Sequence, residues 1–291
     1  MVPEFDLLMP QTLPEALEML GDRAPDLTPL AGGTNVIVYM REDRHRYKML
    51  MDVTRLNELH GVRREDGHLV LGSTNTIAEL LTDPLLAEYG SPLREAAAVF
   101  ASPLVRNRAT VGGNLVDASP AADTAPPLLV MNAEVELASQ KGVRRVPIDG
   151  FMVGVNETLR QPEELLVSIR WPLPSTRSAG GFSKIGLRKG VACSIVSAAV
   201  MVEKDEDGLC QSARIALGAV ATRPIRAYAA EEILVGQPLK PQIIDLAGQL
   251  SAETVSPIDD IRGSADYRRR MVEVLVRRLL SRAAQEIAQR E

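Results

Sequence analysis

Cysteine is scarce in this chain of 291 residues, which holds only Cys193 and Cys210. Two thiols cannot build a disulfide framework, and they fall short of the roughly four thiolates that hold an iron–sulfur cluster. Both sit in strand-like apolar sequence, which predicts buried, inert thiols. Histidine is equally sparse. His45, His60 and His68 stand in polar surroundings without ligand spacing, so they read as surface residues and no metal site is expected. Aromatic residues make up 3% of the chain, which leaves an aliphatic core. No apolar run approaches the ~18 residues needed to cross a bilayer. The opening MVPEFDLLMP lacks the basic and long apolar regions of a targeting segment, so a cytoplasmic location is expected. An excess of positive charge is missing too: Lys and Arg number 33 against 38 Asp and Glu, a net charge of −5. That balance argues against a nucleic-acid partner.

Familiar nucleotide and hydrolase signatures are also absent. No G-x-G-x-x-G follows a strand, no G-x-x-x-x-G-K-[ST] occurs, and there is no G-x-S-x-G nucleophile elbow. A nucleotide bound here needs a different architecture.

What remains is an ordinary globular composition, 45% hydrophobic and 24% charged, enough for a sizeable core. At about 100–200 residues per domain the length predicts two domains. Residues 12–21 read as a short helix capped by Thr12, and strands are expected at Lys48–Val53 and Leu69–Gly72. Helical patterns cover Thr76–Leu81 and Leu93–Phe100. Further strands are expected at Glu134–Leu137, Arg144–Pro147 and Glu164–Trp171. Pro172, Pro174 and the small, polar stretch Ser175–Gly181 read as a linker between domains. Strands follow at Phe182–Leu187, Ser194–Glu203 and Ala213–Ala219, and helices at Pro224–Leu234 and Pro241–Leu250. A long helix spans Asp266 to Arg290. Met271, Val274, Leu275, Leu279 and Ala283 form its apolar stripe, and its arginines fall mostly on a solvated or partner-facing surface.

Two turns share one design: Leu30-Ala-Gly-Gly-Thr-Asn35, running on into Val36, and Thr110-Val-Gly-Gly-Asn114. Removing Cβ at paired glycines lets several backbone N–H groups line one concavity, a geometry suited to phosphate. Each hydrogen bond to a charged group contributes roughly 1.5–3 kcal/mol, so two such turns can hold a pyrophosphate. Asn35, Asn114, Thr34 and Thr110 add side-chain groups, although either turn taken alone reads first as a plain tight turn. Asp123 either caps the helical run that follows or accepts hydroxyl hydrogen bonds from a sugar or ribityl chain. Lys184 alone is an unremarkable strand lysine.

These residues, in this order, resemble the FAD-binding medium subunit of the molybdenum hydroxylases, the group of xanthine dehydrogenase and aerobic carbon monoxide dehydrogenase. The resemblance runs nearly end to end. It is carried by both glycine turns, by the extension to Asp123, and by Pro162-Glu-Glu-Leu-Leu166 before Trp171-Pro172. Phe182–Arg188 and Ile261-Arg-Gly-Ser-Ala-Asp-Tyr-Arg-Arg-Arg-Met271 complete it.

The resemblance implies an α+β fold. A FAD-binding domain of the vanillyl-alcohol-oxidase type, in two subdomains meeting near residue 56, occupies residues 1–174. A smaller domain of antiparallel sheet plus helices occupies 182–291. It implies non-covalent FAD. Leu30, Ala31, Gly32, Gly33, Thr34, Asn35 and Val36 would wrap the pyrophosphate, and Ala101, Thr110, Gly113 and Asn114 would line the other side. Asp123 would bond the cofactor's polar chain, Leu166 would lie against its ring system, and Lys184 would sit near the flavin's polar edge. With so few aromatics, the ring would be packed mainly by aliphatic and backbone atoms around Leu166 and Ala101.

No catalytic acid or base is implied. A large subunit carrying the molybdenum cofactor and a small subunit carrying 2Fe–2S clusters would be the partners, in a dimer of heterotrimers. The Asn114–Met131 stretch contains no cysteine, so the 4Fe–4S insertion of relatives similar to 4-hydroxybenzoyl-CoA reductase is missing. A stand-alone flavin reductase or oxidase on this fold, or a non-catalytic assembly subunit, are the competing readings.

Overall fold

A computed structural model describes residues 3–188 and 192–290. The chain begins with a small parallel sheet in which Met49–Asp52 lies between Asp6–Leu8 and Leu27–Leu30. The helix Leu13–Arg23 covers it. Its first turn is closed by Thr12, whose hydroxyl accepts from the Glu15 N–H, and it buries Ala16 and Leu20. Those two side chains join Leu27, Met51, Leu56, Leu59 and Leu165 in one apolar cluster.

A second, antiparallel sheet of five strands follows, ordered Val62–Glu65, His68–Gly72, Leu165–Pro172, Glu134–Ser139 and Gly142–Pro147. The strand Leu165–Pro172 is central in this sheet, and its first residue also reaches the core of the parallel sheet. Helices Ser91–Val99, Val111–Asp117 and Ala125–Val130 pack beside this layer around the largest apolar core. Trp171 is buried there, and its indole N–H donates to the Tyr89 carbonyl.

The last unit is a four-stranded antiparallel sheet, Ser178–Ile185, Val196–Lys204, Cys210–Gly218 and Ile225–Arg226 in that order. Helix Ala265–Ala288 covers one face, and Ser91–Val99 and Ala125–Val130 reach the other. A sheet covered on both faces need not alternate in polarity, which is why Val196 to Val202 is a continuous buried run.

The structure differs from the sequence reading in instructive places. Ser178–Gly181 is strand rather than linker, paired residue for residue with Val200–Glu203. Its glycines serve close packing: a Cβ on Gly180 would lie 2.4 Å from the Val200 carbonyl oxygen, and one on Gly181 would lie 1.6 Å from Arg282 Nη2. The Thr76–Leu81 helix shrinks to a single turn at Glu79–Leu81, because Thr76 is bridged to Thr110. The stretch from Pro224 splits into the short strand Ile225–Arg226 and the helix Tyr228–Glu232. Cys210 is buried and its thiol is pushed up to about 11 by burial, but Cys193 is exposed, because the strand expected to bury it starts only at Val196.

One arginine of the long helix is no surface residue. Arg268 is 2% exposed and donates to the Ile195 and Ala219 carbonyls at 2.7 and 2.9 Å and to Asp260 at 2.8 Å. Burial alone would raise the Asp260 carboxyl, but Arg262 and Arg268 hold it well below the ordinary range. Without Arg268, Asp260 keeps Arg262, but the Ile195 and Ala219 carbonyls lose their donor, at about 1–3 kcal/mol each and so about 3 kcal/mol in all. Arg268→Ala is therefore expected to lower the unfolding free energy in urea by about that amount; a loss under about 1 kcal/mol, the value of a surface pair, would contradict this account.

Candidate functional site

The first glycine turn leaves the strand Leu27–Leu30 and enters a short helix, Val36–Arg41, that sequence periodicity does not reveal. Gly33 takes φ +69°, a conformation open to glycine, and Gly32 lies against a neighbouring segment. A Cβ on Gly32 would sit 1.8 Å from the Arg108 carbonyl oxygen, so the close approach of the two subdomains requires glycine there. Among the described residues, none of the five successive N–H groups from Gly32 to Val36 has an acceptor. The turn is thus a fan of free donors at the mouth of a helix.

The second turn is built differently. Thr110 is the N-cap of the helix Val111–Asp117, and its hydroxyl accepts from the Gly113 N–H at 3.1 Å. The Val111 N–H is taken by the Asn75 carbonyl, that of Gly112 by Ser73, and that of Asn114 by Thr110. The similarity of the two sequences therefore conceals different roles. One turn offers donors, whereas the other spends its own on packing against Ser73–Asn75.

Between them lies a cavity of about 420 Å³. Eleven of the fourteen residues singled out from sequence line it: Ala31, Gly32, Gly33, Thr34, Asn35, Val36, Ala101, Thr110, Gly113, Asn114 and Leu166. Leu30 ends the preceding strand, where its carbonyl accepts from the Val53 N–H. Asp123 and Lys184 stand outside the lining. They face each other in the interior, Lys184 Nζ 2.5 Å from Asp123 Oδ2, and the Ser194 hydroxyl donates to Oδ1 at 2.5 Å. Burial pushes the Asp123 carboxyl upward, against the pull of Lys184 and the two hydrogen bonds. This pair adjoins the cavity wall through Thr124, whose hydroxyl donates to Asn114 Oδ1 at 2.6 Å.

Several lining residues carry no sequence signal. Arg160 donates from Nη1 to the carbonyls of Gln161, Pro162 and Glu164, and burial lowers its pKa. It borders the cavity without a carboxylate hydrogen-bonded to it among the described residues. Asp117 ties the two walls together, accepting from Asn35 Nδ2 at 2.7 Å and from the Tyr39 hydroxyl at 3.0 Å. His45 is exposed, as expected, but not isolated: its ring meets Tyr39 and Tyr47, with centroids at 5.6 and 6.1 Å, and all three line the cavity. With Phe100 they make this wall more aromatic than composition alone predicts. Ala101 holds φ +32°, and the Arg106 guanidinium braces it by donating to the Phe100 carbonyl at 2.8 Å. A one-residue irregularity in the pairing of Leu165–Pro172 falls between Leu166 and Ser168, beside the cavity floor.

Unpaired backbone donors, one arginine and hydrogen-bonding side chains, set between two α+β subdomains, define a protein that holds a phosphate-bearing ligand. No group of three or more potential metal ligands occurs among the described residues. Comparison with known proteins sharpens the class. The family model for the FAD binding domain in molybdopterin dehydrogenase matches residues 3–174, and that for the CO dehydrogenase flavoprotein C-terminal domain matches 182–283. A putative xanthine dehydrogenase FAD-binding subunit of Escherichia coli is 32% identical over 274 residues, 94% of this chain and 93% of that protein. The carbon monoxide dehydrogenase medium chain of Afipia carboxidovorans is 32% identical, covering 97% of this chain and 98% of its own length. Among solved structures, carbon monoxide dehydrogenase from Hydrogenophaga pseudoflava superposes with a TM-score of 0.94 at 31% identity, covering 99% of both chains. Quinoline 2-oxidoreductase from Pseudomonas putida gives 0.91 at 31% identity, again over 99% of both. The chain belongs to the family of FAD-binding medium subunits of the molybdenum hydroxylases, and it is an oxidoreductase component.

Burial, then the Asp117 carboxylate, pushes the Tyr39 phenol up to about 12. A folded-state pKa above the ordinary 10.0 favours the neutral phenol, so its contribution is complete below that value and is lost as pH rises toward about 12. In an ultraviolet absorbance titration of the folded chain, one tyrosine should ionise with a midpoint near 12, and Tyr39→Phe should delete that step. Tyr47, Tyr89 and Tyr228 are also raised, so the test is the difference spectrum: a late region that loses no tyrosine on substitution would contradict the Asp117 contact.

Proposed function

We propose that this chain is the non-covalent FAD-binding, electron-transfer subunit of a molybdenum hydroxylase complex. Electrons released at a molybdenum centre on a large partner subunit pass through 2Fe–2S clusters on a small one, reach this chain, and leave to an external acceptor. The complex is read as a cytoplasmic dimer of heterotrimers. No helix among the described residues is long and apolar enough to cross a membrane. Residues 1–174 hold the cofactor, since the whole lining of the cavity falls within them, and 182–291 packs against that domain. The reading rests most on the fan of five unengaged N–H groups at Gly32–Val36, which opens on the same cavity as Arg160.

The residues present fit FAD. A diphosphate accepts from the Gly32–Val36 donors, and the Arg160 guanidinium supplies charge that the backbone lacks. Thr34, Thr110 and Asn114 offer hydroxyl and amide groups for the ribityl and ribose chains, and Leu166 and Ala101 present an apolar surface to the ring. FAD, when bound, supplies the redox chemistry, since its ring stores and releases electrons. The chain's own contribution is placement and polarity. Asp123 and Lys184 act from outside the lining: their buried pair would steady Thr124 and, through its hydroxyl, the Asn114 amide beside the cofactor. The Tyr39 hydroxyl does meet the Asp117 carboxylate in the cavity, but its phenol is pushed up to about 12, so a stand-alone oxidase, which needs its own acid or base near neutral pH, is less well served.

The full chain should take up FAD stoichiometrically at micromolar concentration, with the visible spectrum of a flavoprotein. Arg160→Gln removes charge-assisted bonds worth roughly 1.5–3 kcal/mol, so its FAD dissociation constant should rise about 10- to 100-fold while the fold is retained. A folded chain that takes up no FAD would overturn the proposal.

A further inference from the structure

At the end of the five-stranded sheet marked by His68, Glu134, Pro147 and Pro172 lies a second cavity, of about 350 Å³. Strand ends, the segment after the helix Ala125–Val130 and the short strand Ile225–Arg226 enclose it. Its polar walls are His68, Asn132, Glu134, Asp149, Arg170 and Arg226. The FAD reading uses none of them.

Arg170 is the anomaly. The residue is 5% exposed, and its Nε has no hydrogen-bond partner. Among the described residues its guanidinium makes no hydrogen bond at all. The carboxylate it approaches, Glu136, stands 3.8 Å from Nη1 and is already held by Arg145 at 2.8 Å and by the Ser168 hydroxyl. Glu134 is the cross-strand neighbour of Arg170, yet forms no ion pair with it. A guanidinium carries five donors, and burying it unpaired is costly enough that folded proteins supply a counter-ion.

Of the other charges of the cavity, Arg226 and Asp149 are engaged, and Glu134 forms no ion pair among the described residues. Arg226 grips Glu231 through two bonds of 2.6 Å and reaches Asn132 Oδ1 at 3.3 Å. Asp149 accepts from the Tyr228 hydroxyl and lies 3.8 Å from Arg223. Arg170 is left with only a distant share of Glu136, which Arg145 already holds, beside a space large enough to admit an anion.

We propose that this cavity binds a small monocarboxylate, with Arg170 as its counter-ion. A planar carboxylate matches the guanidinium fork, and the Asn132 amide lies within the same walls. Glu134 and Asp149 repel a second negative charge, so a monoanion is preferred to sulfate or phosphate. The carboxylate comes either from a free organic acid or from an aspartate or glutamate side chain of a partner subunit.

Thermal unfolding of the full chain tests this, with acetate as probe and chloride or sulfate at matched ionic strength as controls. The wild-type midpoint should rise with acetate at millimolar concentration by more than with either control, sulfate's general salt effect included. Arg170→Met, which removes the unpaired charge, should unfold at a higher temperature than wild type in chloride and show no acetate dependence. Arg170→Lys, which keeps the charge but not the fork, should need several-fold more acetate for the same rise. In the assembled complex, a persisting acetate response identifies a free acid as the ligand, and its loss identifies a partner's carboxylate. The proposal is overturned if acetate gives wild type no rise beyond the controls, or if Arg170→Met responds to acetate as wild type does.

Discussion

The site depends on how closely two backbones approach at Gly32. Its Cα lies so near the Arg108 carbonyl that no side chain fits between them. This contact brings the parallel-sheet subdomain against the segment leading into Thr110, and so sets the width of the cleft. It also fixes the direction of the Gly32–Val36 amides. With Gly33 in the left-handed region, successive N–H groups diverge from the helix start instead of pairing within the turn. Asp117 reinforces the contact from the opposite wall, receiving both Asn35 and Tyr39.

Around this hinge of backbone, the C-terminal domain is fastened by ionic contacts and not by the covalent linker alone. Arg282 on the long helix meets Glu95 at 2.7 Å, and the same carboxylate accepts from the Phe182 N–H. Lys184 and Ser194 both converge on Asp123. Apolar packing of Ala125–Val130 against the four-stranded sheet supplies the bulk of the junction, and these buried polar contacts set its register. The cofactor wall at Asn114 is therefore linked, through Thr124 and Asp123, to strands of another domain. Docking of that domain and the polarity of the cleft are two results of one arrangement.

Much of this was legible in the sequence. Paired glycines stood out in both turns, the strand Leu165–Pro172 and the long terminal helix were marked by their apolar patterns, and the ordered motifs revealed the family. What stayed hidden depends on partners distant in sequence. Nothing within Thr110–Asn114 shows that its amides are consumed by Ser73 and Asn75. Arg160 sits in a polar, proline-bounded stretch that resembles any surface loop until folding sets it beside the cleft. Ser175–Gly181 has linker composition because Gly180 and Gly181 must pass beneath Val200 and the Arg282–Glu95 pair, a tertiary demand that mimics flexibility. Arg268 looked like one arginine of a solvated row, since helical phase alone does not say that a strand end and a turn close over it.

Unequal roles for two similar turns form the central claim, and amide hydrogen exchange with and without FAD tests it most directly. The account predicts that FAD slows exchange at Gly32–Val36, whose N–H groups lack acceptors without it. Val111–Asn114, already bonded within the chain, should change little. Protection confined to Val111–Asn114, with Gly32–Val36 unaltered, would contradict it.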